Sequence, residues 1–179
     1  MNAEIAEQGA LFTPERSISL DTGYRGQTAC AAAGISYRQL DYWARTGLVG
    51  PTIRPAAGSG SQRLYGFRDI LVLKIVKRLL DAGVSLQNIR AAIAHLRDRG
   101  VDHLAQLTLM SDGASIYECT NNDEIIDLLA GGQGVFGIAI GRVVVEVEGS
   151  LAALPLEAEE TQLSVSTDEL SLRRRAKGA

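Results

Sequence analysis

GISYRQLDYWARTGLVGP, residues 34–51, gathers Tyr37, Arg38, Tyr42, Trp43 and Arg45 within nine positions. The whole 179-residue chain has only nine aromatics, so the concentration is local. A helix that only fills a core favours Leu and Ile, which have defined rotamers and no polar atoms. This stretch therefore predicts a short helix that touches something outside the chain. Ser36 is placed to cap it over 37–46, and Gly47 to close it. Trp43, with Leu40 and Leu48, is expected to pack the helix onto its neighbours, while Tyr42 keeps its hydroxyl in water.

Upstream, TACAAAGI (28–35) predicts an Ala-rich helix ended by Gly34. Two short helices joined by a tight glycine turn outline a helix-turn-helix. Downstream, two prolines and four glycines in 48–66 forbid a helix. TIR and QRLY there read as short strands joined by the AAGSGS tip, a wing with Arg54 and Arg63 flanking it. The GSGSQ run lacks the Lys-Ser/Thr of a phosphate-binding P-loop. FRDILVLKIVKRLLDAG (67–83) carries apolar residues at helical spacing, with Asp69 near its start and Lys77 and Arg78 in later turns. Ser85 caps a further helix through Leu86, Ile89, Ile93 and Leu96, so the two form an antiparallel pair.

After Gly100 the pattern changes. LAQLTLM and ASIYECT read as strands around the SDG turn, and NNDEIIDLLAGG as a capped helix. GVFGIAI and RVVVEVEG read as strands that turn at Gly141 and Arg142. The expectation is an α+β chain: a winged helix-turn-helix with an antiparallel helix pair at 24–100, then a small ββαββ unit at 101–154. Residues 1–23 read as a flexible leader. Residues 155–179 read as a disordered tail, whose terminal RRR is solvated or touches phosphates.

Charge divides along the same line. Residues 24–99 hold 12 Lys and Arg against 4 Asp, a net +8; residues 100–172 hold one Arg against 13 acids, a net −12. The first half can meet a polyanion that the second would repel. No apolar run is long enough to span a bilayer, and the acidic N-terminus is not a secretory signal. Two distant cysteines fit a reducing cytoplasm. Cys119, His95 and His103 make no ligand set of metal-site spacing. Asp123, Glu124 and Asp127 read as a solvated helix face. No catalytic constellation, cofactor motif or membrane segment is expected.

The order Y-x-G-x-x-A (24–29), GISYRQLDYWARTGLV, Q-R-L-Y (62–65) and FRDILVLKIVKRLLDAGVSLQNI resembles the MerR family of bacterial transcription regulators over residues 24–99. The resemblance implies that the second helix enters the major groove and the wing grips adjacent phosphates. The DNA-binding residues it marks are Ser36, Tyr37, Arg38, Tyr42 and Arg45 of the capped recognition helix, with Arg54, Arg63 and Tyr65 of the wing. Arg offers bidentate donors to guanine or phosphate, and Tyr hydroxyls fix register on phosphates. Two positions depart from the family: Asp41 stands where Arg is common, and Ala44 where Glu is frequent. Asp41 either caps or orients an Arg, or accepts from a cytosine amino group. Cys30 falls where the family's first helix has a small buried Ala.

Family members follow the helix pair with a long dimerising helix, and no heptad run is present here. Residues 101–154 are expected to take that role and form a homodimer, with ligand sensing as a second possible task. Promoter distortion and contact with RNA polymerase follow by analogy. The arrangement is also similar to an actinobacterial subgroup linked to growth and cell-division control. The rival readings are an architectural protein oligomerising on direct repeats, and a ligand- or metal-responsive sensor.

Overall fold

The computed structural model describes residues 22–56, 62–97, 99–130 and 134–154. Most of the expected leader, the tip of the expected wing and the expected tail lie outside these residues. The chain begins with β1 (Tyr24–Arg25) and α1 (Gly26–Ala33), followed by α2 (Tyr37–Arg45). Gly34 takes φ 73, the left-handed position that closes α1 without a Cβ penalty. Then come β2 (Leu64–Tyr65), α3 (Phe67–Asp81) and α4 (Leu86–Leu96). β1 and β2 pair antiparallel, Tyr24 opposite Tyr65, and Arg54 bridges Leu64 beyond them. The second half runs α5 (Val101–Ala105), β3 (Thr108–Ser111), β4 (Ile116–Cys119), α6 (Asn122–Ala130), β5 (Phe136–Ala139) and α7 (Ile140–Ala153).

The three strands form an antiparallel sheet in the order β4-β3-β5. Its register sets Met110 opposite Tyr117 on one side and Gly137 on the other. Two expectations are corrected here. The LA of LAQLTLM belongs to the short helix α5, and only the later residues form β3. RVVVEVEG is not a strand: it lies inside α7, so residues 101–154 run αββαβα. The buried residues Ile140, Val143, Val147 and Leu151 recur at helical spacing, leaving Val145 and Glu148 outside. That stripe packs on α1 and α3. Burial against two helices outweighs the strand preference of three consecutive valines, a preference worth at most about 1 kcal/mol per residue. Gly141 makes the entry possible, since a Cβ there would stand 2.7 Å from the Ala105 carbonyl oxygen.

The core is continuous across Gly100. Ala29, Ala32 and Ala33 of α1, the apolar face of α3, and Val143, Val147 and Leu151 of α7 belong to one buried cluster. Small alanines on α1 let neighbouring helices approach closely. Charges join the halves at the rim: Arg78 to Glu146 at 2.6 Å and Arg99 to Glu118 at 2.7 Å.

Candidate nucleic-acid interface

α2 starts at a reciprocal cap. The Gln39 amide donates to Ser36 Oγ at 3.2 Å, and the Ser36 amide donates to Gln39 Oε1 at 2.9 Å. Ser36 thus serves the helix terminus. Leu40 and Trp43 point inward and are buried, with Leu48 beside them. The opposite face carries Tyr37 (62% exposed), Arg38, Tyr42 (45% exposed) and Arg45. Arg38 has no partner among the described residues.

Asp41 ties this helix to the following loop. Its Oδ2 accepts from Arg45 Nε at 2.8 Å, and its Oδ1 from Arg63 Nη1 at 2.9 Å. These hydrogen bonds, Arg63 first and Arg45 second, hold the Asp41 carboxyl below the usual carboxylate range. Arg63 is raised in return, chiefly by its bond to Asp41. Of the alternatives for Asp41, orienting an Arg is what the geometry shows, and it orients two. Arg54 is exposed, and its Nε donates to the Gln62 carbonyl at 3.3 Å.

The base of the loop is fastened by a residue that the sequence marks only for the dipole of α3. Asp69 is 3% exposed, and its Oδ2 accepts from the amides of Gly66 (2.9 Å) and Thr52 (2.8 Å) and from the Thr52 hydroxyl (2.9 Å). The signal was present as Gly66 followed three residues later by Asp69, a cap-like spacing.

Tyr65 departs from expectation. It is 0% exposed within the core, between β1 and α3, so its ring is not part of the outer surface. Its hydroxyl is buried with no partner in good hydrogen-bonding geometry, and the residue lines a cleft of about 520 Å³. Burial pushes its phenol up, against the pull of the nearby Arg63 cation. Arg25, the first residues of α1, Tyr37, Asp41 and Arg63 also line this cleft. The α1 N-terminus has no side-chain cap, so its first amides are open to an anion.

Several cations of the basic half are used as helix C-caps. Lys74 Nζ donates to the Ala32 carbonyl at the end of α1 at 3.0 Å. Arg90 and Arg97 reach back to the Thr46 and Gly47 carbonyls at 2.9 and 3.1 Å, closing α2. Arg68 donates to the carbonyls of Leu96 and Arg97 at the end of α4. Each places positive charge at a negative helix end. The +8 balance therefore overstates the charge available to a polyanion.

Burial raises the thiols of Cys30 and Cys119, so neither is an activated nucleophile. Among the described residues no group of three His, Cys, Asp or Glu side chains could hold a metal ion. No helix of the described residues is long and apolar enough to cross a membrane.

Residues 24–100 match the family described as MerR HTH family regulatory protein. An uncharacterized HTH-type transcriptional regulator of Mycobacterium tuberculosis (strain H37Rv) is 61% identical over 171 residues, spanning 94% of this chain and 76% of that protein. A protein of the same description from Mycobacterium bovis gives the same figures. The heavy metal-dependent transcription regulator 1 of Rhizobium meliloti is 33% identical over 92 residues, 46% of this chain and 60% of that protein.

Proposed function

Because the chain belongs to the MerR family of helix-turn-helix transcription regulators, we propose that it binds promoter DNA as a homodimer, with α2 in the major groove and the 51–66 loop as the wing on the flanking phosphates. The observation that carries this reading is the outward face of α2, where Tyr37, Arg38, Tyr42 and Arg45 stand exposed and Asp41 links Arg45 to Arg63 of the loop. A core-facing helix would have no use for four large polar side chains in water.

Roles follow from position. Arg38 and Arg45 address base edges, while Tyr37 and Tyr42 hold phosphates through their hydroxyls. Arg54 and Arg63 neutralise the flanking backbone. Ser36 acts indirectly, by setting the start of α2. Tyr65 also acts from behind: with the first residues of α1 it lines a cleft of about 520 Å³ beside α2.

The second copy docks through the sheet unit. Ile126 (59% exposed) and Leu129 (52%) on α6 and Phe136 (41%) on β5 leave apolar surface in water, and β5 is an edge of its sheet. Two recognition helices about 34 Å apart would then meet successive major grooves. By family analogy the duplex is distorted so that RNA polymerase meets realigned promoter elements.

Selection of bound duplexes from a random pool, followed by titration of Arg38→Ala, tests the assignment. Arg38→Ala should weaken binding by about 1–3 kcal/mol and relax one base position. Unchanged affinity for the best site would show that α2 is not the reading helix. Sedimentation equilibrium tests the dimer: a monomer at micromolar concentration, with footprints that lengthen as protein is added, favours assembly on direct repeats instead.

A further inference from the structure

Asp41 is an acid in the middle of a surface that faces a polyanion, and both of its oxygens are engaged. One takes Arg45 Nε from the next turn of α2; the other takes Arg63 Nη1 from the 51–66 loop, 22 residues along the chain. We propose that Asp41 is a positioning residue for sequence specificity: it fixes Arg45 as a guanine reader and locks the wing to the recognition helix at one angle. This role rests on the DNA-reading function above.

The bond geometry selects which edge of Arg45 is offered. With Nε engaged, the two terminal nitrogens remain, and this planar end is a fork that matches guanine O6 and N7. An unrestrained Arg would sample many rotamers, and the nearest acceptor on any duplex is a phosphate. Held by Asp41, the side chain has fewer rotamers open to it before binding. The Arg45 side chain is 67% exposed despite the bond, so its free end stands in solvent. Arg63 is 26% exposed and is held from the other side of the same carboxylate.

Charge supports the same conclusion. Phosphate attraction is blind to sequence and supplies most non-specific affinity. A carboxylate between two guanidiniums reduces the trio from +2 to +1. It therefore subtracts from binding to every duplex, while leaving the directed hydrogen bonds of Arg45 intact. Specificity is a difference of affinities, and a repulsive element raises it by weakening the wrong complexes. Arg at this position, common in the family, would lack both effects.

The test uses the full chain. A best duplex is selected from a random pool with the wild-type protein, and dissociation constants are measured for it and for a scrambled duplex across a salt series. Asp41→Asn should bind the scrambled duplex several-fold more tightly, steepen the salt slope by about one, and lower the best-to-scrambled ratio by about tenfold. Asp41→Glu, which keeps the charge, should recover part of the ratio. Combining Asp41→Asn with Arg45→Ala should add little further loss of ratio, because both act through one contact. Thermal melting of each variant separates these effects from misfolding; a variant that melts early is replaced by Asp41→Ser and measured in the same way. A selective wild type with an unchanged Asp41→Asn ratio, or fully additive losses in the double variant, overturns the role of Asp41 alone. A wild type that selects no sequence overturns the DNA-reading function and this role together.

Discussion

α2 and α7 are both amphipathic helices of the same chain, yet they were built for opposite tasks. α2 buries Leu40 and Trp43 and turns two tyrosines and two arginines to water. α7 buries Ile140, Val143, Val147 and Leu151 against α1 and α3, and its one strong outward contact, Glu146 with Arg78, faces the basic half. The contrast teaches where the charge separation has its use. The acidic half is not a passenger held apart from the basic half. It covers α1 and α3 with apolar surface, and its carboxylates pair with Arg78 and Arg99 of the basic half.

If α7 is the rear wall of the DNA-binding unit, breaking it should damage the whole molecule. Val147→Asp places an unpaired charge at a 0% exposed site and should cost about 4 kcal/mol. Urea denaturation should show the loss as one transition, since the core is shared; two separate transitions would mean that the halves fold independently. Gly141→Ala should cost about 1–3 kcal/mol, because its methyl would meet the Ala105 carbonyl oxygen, backbone that cannot swing aside.

On the α2 side the expected losses are local. Asp69→Ala removes the acceptor of three hydrogen bonds at the foot of the 51–66 loop. It should destabilise by about 1–3 kcal/mol, for the amides left unpaired, and weaken DNA binding beyond what the lost stability explains. Glu146→Gln should change stability by less than about 1 kcal/mol, because the pair is exposed and screened. A larger loss would mean that the rim charges, rather than the apolar stripe, hold α7 in place.

The smallest expected effect is in acid. The Asp41 carboxyl is lowered by Arg63 and Arg45, so its contribution is present above the unfolded-state value and is lost only as pH falls through the lower folded value. Carboxyl titration by NMR should find Asp41 ionised at a pH where an ordinary aspartate is already protonating. Titration at the ordinary value would mean that the link between α2 and the loop is open in solution.

The residues show why one helix was legible and the other was not. α2 announces itself locally: Ser36 and Gln39 make the cap, Gly47 the stop, and the unusual density of Tyr and Arg marks the exposed face. α7 offers no N-terminal cap and begins with a β-branched run that mimics a strand, so only its partners identify it. Tyr65 is opaque for the same reason: beside Arg63 it reads as a wing residue, and nothing in QRLY says that the chain turns it into the core.

What the sequence determined by itself was the helix-turn-helix: capping, glycine stops, apolar spacing and cation placement all act within a few residues, and they agree with one another. What only the tertiary structure decided was the identity of residues 140–153 as a helix, the burial of Tyr65, the use of Lys74, Arg68, Arg90 and Arg97 as helix caps, and the bond from Asp41 to Arg63. Each of these joins positions far apart in the chain, where apolar burial and the capture of unpaired carbonyls or charges outweigh local preference.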